Sequence, residues 1–120
     1  MVNTKELGYI GESIACDTML KKSYRILCRN YIFNKAEVDI IAEKDGLLIF
    51  VEVKTRISSY LTDPSLLVSI GKQKQIFRAA DQFVKDFYPE REWRFDIIVV
   101  ITNNEYTSIE HIEDAFYPMV

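Results

Sequence analysis

The stretch AEVDIIAEKDGLLIFVEVK, residues 36–54, decides the fold. Two runs rich in β-branched residues flank Asp45-Gly46, and Asp-Gly between such runs predicts a two-residue hairpin turn. With those two residues as the loop, Lys44 is expected opposite Leu47, Ile41 opposite Phe50, Asp39 opposite Glu52 and Glu37 opposite Lys54. Side chains alternate along a strand. One face should therefore carry Glu37, Asp39, Glu52 and Lys54, and the other Val38, Ile40, Ala42, Ile49, Val51 and Val53, an apolar surface that must be core.

Carboxylates directly opposite on a ladder have Cβ atoms roughly 4.5 to 5.5 Å apart, where like charges destabilise by up to about 1 kcal/mol. A positive group is expected between them. A hard divalent cation takes oxygen ligands, and Lys54 adds a cation on the same face that can position or activate water. The alternative is an ordinary solvated strand face with a cross-strand Glu37–Lys54 ion pair. Ile41, Leu48 and Phe50 make the first reading stronger, because apolar residues beside the charges imply partial burial, and buried charges need partners.

An acidic residue on one strand followed by Glu-x-Lys on the next resembles the PD-(D/E)XK core of the restriction-endonuclease-like nucleases, matched by Asp39, Glu52 and Lys54. Further motifs resemble the small bacterial YraN-like family along nearly the whole chain. They are Gly8-x-x-Gly11-Glu12, Glu37 to Ala42, Phe50 to Arg56, Lys72-Gln73, Arg94-Phe95-Asp96, and Ile109-x-His111-Ile112 with Ala115-Phe116. Ala36 stands where that family usually has glycine. The resemblance implies an α/β restriction-endonuclease-like core, with a mixed four- or five-stranded sheet flanked by helices in the order α-β-β-β-α-β. It also implies a nuclease site. In that reading Asp39 and Glu52 hold Mg²⁺ or Mn²⁺ with the Val53 carbonyl, Lys54 orients the attacking water, and Glu12 adds a ligand or base.

The chain has 120 residues, 48% of them hydrophobic, which suits one domain spanning residues 1–120. No basic and apolar leader opens it, and no apolar run approaches the roughly 20 residues of a membrane helix, so a cytoplasmic protein is expected. Cys16 and Cys28 lack ligand-like spacing and read as free thiols. A net charge of −3 argues against an indiscriminate nucleic-acid binder. Positive charge is nevertheless concentrated in Lys54, Arg56, Lys72, Lys74 and Arg78, a basic rim suited to nucleic acid, DNA foremost.

A first helix is expected over Thr4 to Lys22, capped by Thr4 or Asn3. Gly8, Glu12, Ala15, Cys16 and Met19 lie on one stripe, which turns Glu12 toward the sheet, and the helical glycines Gly8 and Gly11 suggest close backbone approach. Tyr24 to Phe33 reads as a strand. Ile57 to Ser69 reads as a loop with a turn at Pro64 that could gate the site. A second helix should begin at the Ser69 cap and stop before Pro89, burying Ile76, Ala79, Ala80, Phe83, Val84 and Phe87. Lys72, at the start of the stripe, either points toward Asp39 and Glu52 or snorkels to solvent as an end-of-stripe residue, while Lys74, Arg78 and Lys85 take the outer face. Trp93 to Thr102 reads as a central strand, followed by a short edge strand, and His111 as structural. Two functions compete: a metal-dependent nuclease, and a non-catalytic nucleic-acid-binding or protein-interaction module. The acidic pI and short chain suit the second, or a homodimer.

Overall fold

The computed structural model describes residues 3–58 and 67–117. The expected turn at Pro64 lies outside the described residues. The elements are α1 (Thr4–Lys21), β1 (Arg25–Phe33), β2 (Ala36–Lys44), β3 (Leu47–Arg56), α2 (Ile70–Phe87), β4 (Trp93–Thr102) and β5 (Thr107–Ile112). The strands form one mixed sheet in the order β1-β2-β3-β4-β5. Only β3 and β4 are parallel, joined by α2 as crossover. This is the α/β arrangement expected, with the fifth strand present.

Asp45 and Gly46 both have positive φ, 53° and 81°, as the primed turn of a two-residue hairpin requires. The register follows from the turn: Lys44 faces Leu47 and Ile41 faces Phe50. The helices start where a side chain can satisfy their first free amides. Asn3 Oδ1 accepts from the Glu6 amide at 2.8 Å, and Ser69 Oγ accepts from the Lys72 amide at 3.2 Å.

Both sheet faces are buried. On one, α1 packs Ala15, Cys16 and Met19 against Ile40, Ala42, Ile49, Val51, Ile98 and Val100. On the other, α2 sets Ile76, Ala79, Ala80, Phe83 and Val84 against Ile41, Leu48, Phe50, Phe95 and Ile97. Phe87, expected in this core, is 61% exposed, because it is the last residue of the helix, beyond the buried Phe83 and Val84. Among the described residues no helix is long and apolar enough to cross a membrane.

Strict alternation fails at one place in β2. Val38, expected beside Ile40 and Ala42, instead joins the α2-side core with Ile41. The faces therefore slip across Asp39, and the β2–β3 ladder stops at Ile40 opposite Val51. On the β1 side, Asn30 lies between the pairs Arg29–Ile40 and Tyr31–Val38 with a left-handed φ of 55°. Ala36 has no left-handed backbone and opens β2 opposite Phe33, so glycine is not required there.

The glycines of α1 differ. A Cβ on Gly11 would overlap the Thr55 side chain of β3, whereas one on Gly8 would meet open space. Close approach is a property of Gly11 alone. The free cysteines are buried (Cys16) and half-buried (Cys28).

The α1 side also holds a polar knot. Asp96, fully buried, accepts from Arg94 Nε and Nη2 at 2.8 and 2.9 Å and from the Asp114 amide at 3.0 Å, with His111 Nε2 2.7 Å away. Burial alone would raise the Asp96 carboxyl, but the hydrogen bonds from His111, Arg94 and Asp114 outweigh it and hold it below the usual range. Asp96 thus ties β5, through His111, and the following turn, through the Asp114 amide, to β4.

Candidate metal centre

Where the β2–β3 ladder ends, a side chain replaces the backbone. Asp39 Oδ2 accepts from the Val53 amide at 2.8 Å, which fixes its carboxylate against β3. The expected ladder pairing of Asp39 with Glu52 is therefore not kept, because the slip in β2 puts the carboxylate where the carbonyl would bond. The two carboxylates remain neighbours all the same, close enough for Asp39 to raise the Glu52 carboxyl.

Glu52 points to the α2 side and is 4% exposed. Its Oε1 lies 3.3 Å from Lys72 Nζ, and its Oε2 is buried with no hydrogen-bond partner among the described residues. Burial first, and then Asp39, push this carboxyl up to about 8. Lys54 follows two residues on, half-buried. Its ammonium is held below the usual lysine range by burial first and then by the charge of Lys72, with Glu52 and Asp39 opposing. Leaving a buried acceptor unsatisfied costs about 1–3 kcal/mol, more when it is charged. A cation at Oε2 would remove that cost.

Among the described residues, no group of three His, Cys, Asp or Glu side chains converges to hold a metal. The available donors are the Asp39 and Glu52 carboxylates with the Val53 carbonyl next in the chain. One or two carboxylates, completed by water and phosphate oxygens, is how Mg²⁺ is commonly held, so this donor set fits a hard divalent ion. Glu12 is not brought into it. Its Oε1 accepts from Asn30 Nδ2 at 3.0 Å and lies 3.7 Å from Arg29 Nη2. Its carboxyl is raised by burial and next by the charge of Asp39, which makes it a neighbour of Asp39 rather than of Glu52. Arg29 and Asn30 were not expected at the site. An asparagine inside a strand pattern, tolerant of left-handed backbone, was the available signal.

Among the described residues, Lys72 is the basic side chain paired with Glu52, and Lys54 lies close enough to feel the charges of Glu52 and Asp39. Arg56, Lys74 and Arg78 are exposed. Arg56 Nη1 donates to the Thr55 carbonyl at 2.8 Å. Arg78 borders a concavity of about 480 Å³ at the β1–β2 turn, shared with Lys35 and Gln75. Glu37 is exposed, and among the described residues no ion pair joins it to Lys54.

The model of the uncharacterised protein family UPF0102 matches residues 11–100. This span includes all the residues just described. Full-length similarity extends to UPF0102 proteins of Flavobacterium johnsoniae, 40% identical with 98% of each chain covered, and of Christiangramia forsetii, 42% identical with 98% of each covered. The UPF0102 protein of Bacteroides thetaiotaomicron is 41% identical over the same shares.

Proposed function

The chain belongs to the uncharacterised protein family UPF0102, and on that footing we propose that it is a metal-dependent nuclease that hydrolyses phosphodiester bonds in DNA, acting in the cytoplasm. The observation that carries the reading is the buried Oε2 of Glu52, unpartnered among the described residues and set beside Asp39 and Lys54. Structural ion pairs satisfy their oxygens, whereas a carboxylate waiting for a cation does not.

Asp39 and Glu52 would hold Mg²⁺ or Mn²⁺, with the Val53 carbonyl as a third oxygen. When bound, the ion would polarise the scissile phosphate and make water a better nucleophile. The Val53 amide keeps Asp39 from turning away. Lys54 orients the attacking water by donating to its oxygen. Water adds to phosphorus, the bond to the leaving oxygen breaks, and a proton passes to that oxygen. Glu12, held by Asn30 and Arg29, acts through the field it places on Asp39. Arg56, Lys72, Lys74 and Arg78 contact phosphates along the strand.

A second reading, a non-catalytic nucleic-acid-binding or protein-interaction module of the same fold, is favoured by the net charge of −3 and by basic side chains that lie outside the acidic pair. Calorimetry with MnCl₂ on the wild type, Asp39→Ala and Glu52→Ala, with cleavage assays on branched, single-stranded and duplex DNA with and without Mn²⁺, separates the two. The nuclease reading expects binding and cleavage in the wild type, both lost in each variant. Metal binding unchanged in both variants would refute the assignment. Binding without cleavage of any substrate would favour the module.

A further inference from the structure

Glu52 already has one cation. Lys72 reaches it from the first turn of α2, and the two ends of this pair differ in their freedom. The lysine side chain is 43% exposed and the glutamate 4%. The ammonium can swing into water without leaving its backbone anchorage, whose amide is capped by Ser69. The carboxylate, on a strand paired with β4 and buried beneath α2, cannot follow. The contact is also long, 3.3 Å against about 2.7–2.9 Å for a well-formed charge-assisted bond, and it occupies one oxygen only. The second cation nearby, Lys54, repels it. Lys72 is thus a loosely held, exchangeable charge on the most buried acidic group of the site.

We infer that Lys72 is the resident partner of the metal centre: its ammonium donates to Glu52 when no divalent ion is bound, and on metal binding it would be displaced toward the substrate's phosphates. The inference rests on the proposed metal site and deepens it. A divalent ion and an ammonium cannot both sit within contact of Glu52 without strong repulsion, so loading one must move the other. Displaced into solvent beside the N-terminus of α2, the ammonium meets phosphate where helix amides also favour an anion. Metal loading and grip on nucleic acid are then coupled through one side chain. Binding couplings of this kind are reciprocal.

The experiment is a MnCl₂ titration by calorimetry on the wild type, Lys72→Met, Lys72→Gln and Lys72→Arg at one pH and salt concentration. Removing the competitor should tighten Mn²⁺ binding about tenfold in the Met and Gln variants, while Lys72→Arg stays near the wild type. Unchanged affinity in Met and Gln would overturn the inference and leave the metal site standing. Weakened affinity, rescued by Arg, would also overturn it and make Lys72 a residue that organises Glu52. No Mn²⁺ binding by the wild type would remove the metal site itself, and the inference with it. Salt dependence of duplex oligonucleotide binding, read by fluorescence anisotropy, supplies an independent arm. With Ca²⁺ present, the slope of log affinity against log salt should be steeper in the wild type than in Lys72→Met by about 0.9, one phosphate contact. Without a divalent ion the two slopes should coincide. An equal difference in both conditions would mean that Lys72 holds phosphate whether or not metal is bound.

Discussion

Replacing Glu52 by glutamine should make the metal-free protein more stable at neutral pH, although it removes an ionisable group from the centre of the proposed site. A carboxyl raised from 4.5 to about 8 in the native state binds a proton that the unfolded state releases. Stability linked to it is fully present below about pH 4.5 and is lost as pH rises toward about 8. At about pH 7.5 the loss covers roughly three pH units at about 1.36 kcal/mol each, an upper bound of about 4 kcal/mol. Glutamine keeps the volume and never ionises. Its variant strands Lys72, but that side chain is 43% exposed and can turn to water. About half the bound, near 2 kcal/mol, is the expected gain at about pH 7.5, shrinking to near zero at about pH 4.5. The assay is urea unfolding of chelator-treated protein, followed by fluorescence of Trp93, the single tryptophan, which packs on Phe50, Phe77 and Phe95. Adding Mn²⁺ at the higher pH should restore stability to the wild type and leave the glutamine variant unmoved. A variant less stable at about pH 7.5, or a difference that does not change with pH, would refute the reasoning.

Other perturbations test the scaffold and the chemistry. Gly8→Ala should stabilise by up to about 1 kcal/mol through helix propensity, whereas Gly11→Ala should destabilise by about 1–3 kcal/mol because its Cβ overlaps Thr55; thermal melts of the two variants give opposite signs. Lys54→Ala should leave Mn²⁺ affinity in calorimetry nearly intact while abolishing DNA cleavage. Rescue by Glu37→Gln combined with Lys54→Met would instead make the lysine structural. The double variant Lys74→Ala/Arg78→Ala should flatten the salt slope of duplex binding by up to about 1.8, at about 0.9 per contact. Asp96→Ala should cost about 3–5 kcal/mol in urea unfolding, because it leaves Arg94 and His111 without their buried partner.

Local rules carried most of the architecture. Asp45-Gly46 can take two positive φ values at low steric cost, so the hairpin and its register were readable from the turn outward. Ser69 marked the start of α2 because its hydroxyl satisfies a helix amide, and the β-branched run of β4 marked a strand covered on both faces. The spacing of Glu52 and Lys54 is a property of any strand and put both on the side of the sheet that α2 covers.

The remainder needed contacts between residues distant in sequence. Period-two counting assumed an unbroken β2, and it put Val38 on the wrong side because the slip at Asp39 depends on β1, where Asn30 turns left-handed beside it. Helical spacing turned Glu12 toward the sheet but could not say that Arg29 and Asn30 would hold it away from Glu52. It treated Gly8 and Gly11 alike, since only the position of Thr55 tells them apart. Nothing in the order of residues marks Asp96 as the knot joining Arg94, His111 and the Asp114 amide. Sequence by itself determined which strands and helices form and which acidic and basic residues cluster near the end of β3, because those depend on torsional preference and periodicity. Tertiary structure alone decided that one oxygen of Glu52 lies buried against Lys72 and the other against no donor among the described residues, because burial and partnership are set by the packing of α2 on the sheet.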